Sequence, residues 1–158
     1  MVKCTFITLG ALKEDYLSQA VAEYKKRISA FAEVSEINLK DEKLVTESAS
    51  EVAEALEKEA DRILSKIPEG AYTLALCVEG KELSSEGFAA LIEGVRDTTG
   101  KLCFIIGSSY GLSPRVKQRA DARISFSKMT FPHGLMRAVL AEQVYRAFTI
   151  LAGKKYHK

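Results

Sequence analysis

The alternation of two hydrophobic periodicities along the chain is the feature that most restricts its fold. Short apolar or β-rich runs bounded by glycine, charged or turn residues predict strands; they are Val2–Leu9, Val34–Leu39, Thr73–Val78, Leu102–Ile106 and Ile124–Phe126. Between them lie stretches typical of helices: Lys13–Phe31, Ser50–Ile67, a helix that starts at Ser84, Pro114–Ala120 and Pro132–Leu151. Strands that alternate with helices predict an α/β fold, with a mainly parallel sheet and helices on both faces.

The composition is that of an ordinary globular protein. The 158 residues, 47% hydrophobic and 28% charged, are typical of one domain, which we predict to span residues 1–158. No apolar run approaches the ~20 residues of a membrane span, and no Cys-x-x-Cys or His-x-x-x-His spacing indicates a metal site. The three cysteines lie far apart inside apolar runs, so we expect reduced thiols and, by default, a cytoplasmic location.

Charge is divided unevenly along the chain. Residues 1–110 carry 13 lysines and arginines against 19 acidic residues, whereas residues 111–158 carry 10 against 2, which gives net charges of −6 and +8. A basic C-terminal third suits a polyanionic partner whose phosphates its lysines and arginines would neutralise. Charge complementarity between the two parts, inside the fold or across a dimer, explains the asymmetry equally well, and the composition leaves both explanations open.

Three segments that follow predicted strands are candidates for a binding site, because ligands of such sheets collect at the carboxyl ends of strands. They are "CVEGKELSS" from Cys77, "IIGSSYGLSP" from Ile105 and "SFSKMTFPHG" from Ser125. The segment after the first strand, "TLGALKED", has one glycine where a dinucleotide-binding turn has three, and no Gly-Lys-Ser/Thr occurs. A nucleotide-like cofactor is therefore expected at the late strands.

One of these segments also matches a hydrolase motif. Gly107–Gly111, "GSSYG", satisfies Gly-x-Ser-x-Gly on a strand-to-helix turn, with Ser109 at the position of the nucleophile. Asp121 and His133 follow in the order of a catalytic triad. The chain is short for an α/β hydrolase, however, and the helix after the motif is brief. We therefore favour the interpretation that the two glycines let backbone amides approach a ligand.

Polar residues of the last helix and the tail form a second group of candidates. Glu142 and Arg146 are four residues apart, a spacing that alone indicates only a solvated ion pair. His133 lies in the first turn of the helix, where a histidine most often makes a structural hydrogen bond. The tail "GKKYHK" is expected to be solvated by default. It nevertheless offers Tyr156 and His157, an aromatic ring and an imidazole of the kinds that contact RNA or move protons.

Several of these segments resemble the RlmH family. Its members are bacterial methyltransferases of the knotted SPOUT class that act on N3 of a pseudouridine in large-subunit ribosomal RNA. The matching segments are "LSSEG" from Leu83, "FIIGSSYGL" from Phe104, "SFSKMTFPH" from Ser125, "EQVYRAF" from Glu142 and "YHK" from Tyr156. The resemblance runs from "KCTFITLGALKEDY" near the start to the last residue, and it is more specific than any one of these motifs.

The resemblance implies a SPOUT fold whose C-terminal part is threaded as a trefoil knot, a homodimer, and S-adenosylmethionine as the methyl donor. It also implies a cofactor pocket formed by the end of the third strand, the glycine-rich loop and the segment after the fifth strand. Backbone N–H and C=O groups would bind the adenine, with apolar side chains against its faces. The residues that the resemblance indicates are Leu76, Gly107, Phe126, Ser127, Lys128, Met129, Thr130 and Phe131.

The resemblance further implies the reaction and the partners. The expected substrate is a pseudouridine of 23S ribosomal RNA in the assembled 70S ribosome, with no membrane and no metal involved. Because the pseudouridine N3 is a weak nucleophile while it is protonated, a base or groups that stabilise the developing anion must lie nearby. We expect His157 and Tyr156 to act on the base, and Arg146, Glu142 and His133 to fix the base and a phosphate.

Ser108 departs from the family pattern, which has a second glycine at this place in the loop. If the position requires a positive φ, serine costs about 1 kcal/mol and shifts the loop. The departure bears on the affinity for the cofactor and not on the class of protein. Besides the methyltransferase and the hydrolase, a basic module that binds RNA without chemistry stays open on the sequence alone.

Overall fold

All strands of the central sheet run in the same direction. The computed structural model describes residues 1–158 and contains β1 (Val2–Leu9), β2 (Ala32–Leu39), β3 (Tyr72–Glu82), β4 (Lys101–Ile105) and β5 (Ala122–Ser125). These strands pair in the order β2-β1-β4-β3-β5, and each pairing is parallel. The predicted parallel α/β sheet is confirmed. Because β4, β3 and β5 are neighbours, their carboxyl ends meet at one edge of the sheet.

Helices cover both faces of the sheet, as predicted. They are α1 (Asp15–Ile28), α2 (Ala49–Leu64), α3 (Ser85–Arg96), α4 (Pro114–Arg119) and α5 (His133–Leu151). Side chains alternate across β1, so that Cys4 and Phe6 enter the core beneath α3 and α5, whereas Ile7 and Leu9 enter the core beneath α2 and α4. The alternation in β1 therefore builds two cores from one strand.

Serine side chains fix where three of the helices begin. The hydroxyls of Ser48, Ser84 and Ser113 accept hydrogen bonds from amides in the first turns of α2, α3 and α4. Helix α5 begins at His133, one residue later than predicted, because Pro132 is its N-cap and accepts a bond through its carbonyl from the Met136 amide (3.0 Å). The start of α5 thus follows directly from the segment after β5.

Strand β3 differs from the prediction, which ended it at Val78. It continues to Glu82 through a bulge, in which Ile124 of β5 pairs with both Leu76 and Lys81. Gly80 permits the bulge, because a Cβ there would lie 2.6 Å from the carbonyl carbon of Ile124. The prediction that Leu76 lies at the end of the strand is therefore wrong. Leu76 is the last residue before the bulge.

The three cysteines are free thiols. Cys4 and Cys103 lie in the two cores, and burial raises the pKa of each thiol to about 12. Cys77 is half-buried in the bulge, where burial and then the Glu79 carboxylate raise its pKa. No three histidine, cysteine or carboxylate side chains lie together as metal ligands. None of the helices combines the length and the apolarity needed to cross a bilayer.

Candidate active site

A cavity of about 270 Å³ opens at the edge where β3, β4 and β5 end. The β3 bulge, the loop after β4 and the segment after β5 form its walls, and Lys117, His133 and Met136 complete them. Of the residues expected to hold a cofactor, those that line this cavity are Leu76, Gly107, Phe126, Ser127, Met129, Thr130 and Phe131. Lys128 belongs to the same segment, but it is exposed and is not part of the lining.

The glycine-rich loop after β4 is a tight turn with free amides. A Cβ on Gly107 would lie 2.2 Å from the carbonyl oxygen of Gly111, so only glycine fits there without a backbone shift. Gly111 has φ +90° and donates its amide to the Ser108 carbonyl (2.9 Å). The amides of Gly107, Ser109 and Tyr110 donate to no acceptor within the chain. They are therefore available to a ligand in the cavity.

The remaining walls are largely apolar. Leu76, Ile106 and Phe126 provide flat or branched hydrocarbon surface, and Phe126 is held edge-on against Phe88 with 5.9 Å between ring centroids. Met129 lies at the open side with 74% of its surface exposed. Backbone donors between apolar walls suit a flat heteroaromatic group with polar edges, such as the adenine of a nucleoside cofactor. The residues of the cavity therefore fit the expected methyl donor.

Ser108 does not carry the strain that a positive φ would impose. No residue other than glycine has a positive φ in the chain. The Ser108 side chain is buried and donates a hydrogen bond of 2.8 Å to Oε1 of Glu59 in α2. The departure from the family pattern thus leaves the loop unstrained and adds a contact with the neighbouring helix.

Four of the five expected catalytic residues form one cluster, which we call the tail cluster: Glu142, Arg146, Tyr156 and His157. The Glu142 carboxylate accepts a hydrogen bond from the Tyr156 hydroxyl (3.1 Å) and forms an ion pair with Arg146. The Arg146 guanidinium carbon also lies 4.8 Å from the centroid of the Tyr156 ring. Tyr156 and His157 are therefore folded back and half-buried, in contrast to the default expectation of a solvated tail, whereas Lys154, Lys155 and Lys158 are exposed.

The contacts of His157 assign its tautomer. Arg146 Nη1 lies 3.2 Å from Nδ1, and Oε1 of Glu86, at the start of α3, lies 2.7 Å from Nε2. Because a guanidinium can only donate, Nδ1 accepts, and Nε2 carries the hydrogen that is donated to Glu86. This bond holds the pKa of the Glu86 carboxyl below its usual value. The lone pair of Nδ1 therefore faces Arg146 in this arrangement.

The surroundings of the cluster also fix two other protonation states. Burial, followed by the hydrogen bond to Glu142, raises the pKa of Tyr156 to about 12. The same carboxylate raises the pKa of Arg146 above its usual value. Tyr156 is thus a neutral donor and Arg146 a permanent cation near neutral pH. The groups of the cluster that can accept a proton are the imidazole of His157 and the Glu142 carboxylate.

A second cavity, of about 210 Å³, borders the first cavity, and one of its lining residues, Gln143, contacts the tail cluster. It shares Ile124, Ser125 and Phe126 with the first cavity. On its other side, Gln143 accepts from the Ser85 hydroxyl (3.0 Å) and donates to the Glu142 carboxylate (3.0 Å). A chain of contacts therefore links the two parts of the site.

His133 lies apart from the tail cluster and lines the first cavity. The hydrolase triad is not assembled, because no hydrogen bond joins any two of Ser109, Asp121 and His133. Asp121 instead accepts from the Thr73 amide (2.7 Å) at the amino end of β5, whereas Ser109 lies at the opposite end of the sheet. The geometry thus gives no support to a serine nucleophile.

The structure brings to the site several residues that lie within the candidate segments but are not among the predicted site residues. The bulge contributes Cys77, Val78 and Glu79 to the cavity, and Glu86 and Gln143 contact the tail cluster. An isolated glycine within a predicted strand often marks a bulge, so Gly80 could have indicated this feature. The contact between Glu86 and His157 joins residues 71 positions apart, and no local pattern predicts it.

Comparison with known proteins relates the chain to methyltransferases. Residues 2–157 match the family model described as "Predicted SPOUT methyltransferase". The chain is 50% identical over 157 residues to the ribosomal RNA large subunit methyltransferase H of Bacillus pumilus (strain SAFR-032), with 98% of each chain covered. It is also 50% identical over 155 residues to the protein of that name from Listeria monocytogenes serovar 1/2a, covering 96% of this chain and 97% of the relative.

Two solved structures share the fold at low sequence identity. A probable methylase family protein from Haemophilus influenzae Rd KW20 superposes with a TM-score of 0.55 at 12% identity, covering 100% of this chain and 72% of the other. A probable methyltransferase from Bordetella pertussis Tohama I gives the same score and identity, covering 92% and 96%. At this identity the likeness concerns the fold alone.

Proposed function

The chain belongs to the SPOUT methyltransferase family, and we propose that it transfers a methyl group from S-adenosylmethionine to N3 of a pseudouridine in 23S ribosomal RNA. The observation that carries this proposal is the 50% identity, over 98% of both chains, to a protein named ribosomal RNA large subunit methyltransferase H. The cavity at the ends of β3, β4 and β5, with the tail cluster beside it, supports the proposal because it offers one place for a donor and another for proton transfer.

We assign the donor to the first cavity. S-adenosylmethionine, when bound, supplies an electrophilic methyl group on a sulfonium. The free amides of Gly107, Ser109 and Tyr110 would hold the polar edge of its adenine. Leu76 and Phe126 would pack against the ring faces, and Lys128 would contribute only its backbone. His133 is assigned to the wall of this cavity.

We assign proton transfer to the tail cluster. His157 accepts the N3 proton at Nδ1, the nitrogen that faces Arg146, once the guanidinium turns to the substrate. Arg146 then stabilises the charge that develops on a carbonyl oxygen of the base, or holds a phosphate. Glu142 orients Arg146 and Tyr156. Most of the rate enhancement comes from positioning, because methyl transfer requires N3 in line with the methyl carbon.

The distribution of unpaired cations supports RNA as the partner. Among the ten lysines and arginines of residues 111–158, four form ion pairs within the chain: Arg115, Lys117, Arg137 and Arg146. The other six have no carboxylate within ion-pair distance: Arg119, Arg123, Lys128, Lys154, Lys155 and Lys158. Internal charge complementarity accounts for the smaller part of the basic excess. We propose that the remainder contacts phosphates of the assembled 70S ribosome in the cytoplasm.

We further propose a homodimer of single-domain subunits, residues 1–158, each with the trefoil knot that the family implies. Exposed apolar side chains support the dimer: Tyr16, Met129, Phe131 and Leu135 are each at least 37% exposed and lie on α1, on α5 or in the segment before α5. Tyr16 and Leu135 lie on helices that pack against each other, α1 and α5. Sedimentation equilibrium on the wild type and on Leu135→Glu tests this assignment, and a monomeric wild type would contradict it.

The deciding experiment is methyl transfer from labelled S-adenosylmethionine to ribosomes of a strain that lacks the modification, followed by mapping of the modified base. We expect label at N3 of one pseudouridine of 23S RNA. The His157→Ala variant should bind the donor normally and lose at least about 100-fold in rate. Donor titration by calorimetry separates the alternatives, because a basic module that only binds RNA gives no saturable heat.

A further inference from the structure

Glu59 is a buried carboxylate that the proposed reaction does not use. It lies on α2 with 2% of its surface exposed, and no lysine, arginine or histidine approaches within 4.0 Å of its oxygens. A buried carboxyl group lowers stability unless hydrogen bonds compensate for the lost water. Two such bonds are present: Oε1 accepts from the Ser108 hydroxyl (2.8 Å), and Oε2 accepts from the Glu42 amide (2.9 Å).

The bond to Ser108 acts on the centre of the glycine-rich loop. Ser108 follows Gly107, whose missing side chain permits the turn, and it precedes Ser109 and Tyr110, whose amides are free. The Ser108 carbonyl accepts the Gly111 amide across the turn (2.9 Å). The loop is therefore fixed by a backbone bond on one side and by the Glu59 carboxylate on the other.

The second oxygen of Glu59 ties the same loop to the acidic segment before α2, residues 40–48. The Glu42 amide that donates to Glu59 lies in this segment, and Arg62 holds it further by bonding to the Glu42 side chain (2.7 Å) and the Lys40 carbonyl (2.9 Å). Glu59 thus connects three elements, which are α2, the acidic segment and the loop that borders the cavity. A group with this connectivity limits rotation of the loop about Ser108.

We propose that Glu59 is a positioning residue for the methyl-donor site, which sets the direction of the free loop amides through Ser108. The inference rests on the proposed function, because it assumes that these amides bind the donor. Glu59 does not itself line the cavity. Its removal should therefore weaken donor binding through loop geometry and leave the chemical step intact once donor is bound.

Two other carboxylates that contact the same loop region supply matched controls. Glu47 accepts from the Tyr110 hydroxyl (2.7 Å), and Glu57 accepts from the Ser113 hydroxyl (2.7 Å), but both acids are exposed. Exposed bonds of this kind exchange readily with water and contribute little. Glu47→Gln and Glu57→Gln should therefore bind the donor with nearly wild-type affinity.

The test compares donor affinity with turnover in variants of both partners. Glu59→Leu and Ser108→Ala should each raise the dissociation constant and the KM for S-adenosylmethionine by about tenfold, because a buried hydrogen bond that positions the loop is lost. The kcat at saturating donor should stay within about threefold of wild type. Glu59→Gln should recover most of the affinity, since its oxygen can accept from Glu42 and its NH₂ can donate to the Ser108 hydroxyl.

The double variant separates positioning from a general loss of stability. The double variant, Glu59→Leu with Ser108→Ala, should bind the donor as tightly as the single variant with the lower affinity. Both substitutions remove the same hydrogen bond, between Glu59 and Ser108. Fully additive losses, or an unchanged dissociation constant in folded single variants, would overturn the inference. Circular dichroism establishes that the variants are folded. A wild type that fails to bind the donor would contradict the proposed function itself, which distinguishes that failure from this one.

Discussion

The donor cavity and the tail cluster are built from different chemical groups. The cavity depends on backbone groups and on missing side chains, since Gly107 and Gly80 allow contacts that any Cβ would block. The tail cluster depends on side-chain groups, with Glu142 joining Arg146 and Tyr156 and with His157 between Arg146 and Glu86. Small changes of volume should therefore disable the cavity, whereas changes of functional group at constant volume should disable the cluster.

The largest expected effect tests whether a small increase in side-chain volume disables the cavity. Gly107→Ala places a methyl group 2.2 Å from the Gly111 carbonyl oxygen and 3.0 Å from Leu112, so the loop must move. We expect the affinity for S-adenosylmethionine, measured by calorimetry, to fall by about 100-fold or more while the circular dichroism spectrum is retained.

Gly94→Ala is the matched control for this change, because nothing lies within 4 Å of the added Cβ. It lies inside α3, where alanine replaces glycine at a gain of about 0.5–1 kcal/mol in the free energy of unfolding. Donor affinity should be unchanged in this variant. Normal affinity in Gly107→Ala would refute the view that missing side chains define the cavity.

The next effect tests whether a change of functional group at constant volume disables the tail cluster. Glu142 accepts from donors on three residues, Arg146, Tyr156 and Gln143. Glu142→Gln keeps the volume but replaces one acceptor oxygen by a donor, which leaves one of these groups unsatisfied. We expect the rate of methyl transfer to fall about 100-fold, with the dissociation constant of the donor unchanged.

Glu93→Gln provides the control, since Glu93 makes an exposed ion pair with Arg96 on α3. Its rate and donor affinity should equal those of the wild type. If Glu142→Gln instead weakened donor binding as strongly as it slowed transfer, the cavity and the cluster would not be separable, and the comparison between them would fail.

A smaller loss is expected for Tyr156→Phe. The ring contacts with Arg146 and Tyr145 remain, at 4.8 Å in each case, and only the hydroxyl bond to Glu142 is lost. Because Arg146 still holds Glu142, we expect methyl transfer to slow by only about tenfold, the effect of losing one hydrogen bond. Single-turnover kinetics measure this rate directly, and a loss as large as that of His157→Ala would instead assign Tyr156 a direct part in proton transfer.

The difference between the two regions also explains how far the sequence predicted them. Strand β1 was predicted with its exact bounds because a short apolar run is a local signal, and seven of its eight residues are buried. The cavity followed from the parallel topology, since loops after neighbouring strands converge. The bulge in β3 did not, because it depends on the approach of Gly80 to Ile124, which lies on another strand. The spacing of residues within one segment does not predict contacts between different strands.

Side-chain contacts between distant positions set the same limit elsewhere. The bond between Glu59 and Ser108 spans 49 positions, and it gives the buried hydroxyl of Ser108 its partner. The tail was expected to be solvated because nothing nearby in sequence indicates a partner, yet Tyr156 and His157 contact α5 and α3. The identities of these residues were predictable from the resemblance, whereas their mutual geometry required the folded chain.

The smallest expected effect concerns the stability of the tail cluster at alkaline pH. The pKa of Tyr156 is raised to about 12 in the folded protein, above the roughly 10 of an unfolded tyrosine. The folded state therefore favours the protonated form, and this contribution is complete below pH ~10 and is lost as the pH rises toward 12. The difference in unfolding free energy between wild type and Tyr156→Phe should shrink over this window by about 1 kcal/mol or less. Urea denaturation at pH 8 to 12 measures it, and because Cys4 and Cys103 titrate in both proteins, their effects cancel. A difference that stays constant to pH 12 would mean that the hydroxyl of Tyr156 is not held by Glu142 in solution, and the tail cluster would then lack the side-chain order that separates it from the cavity.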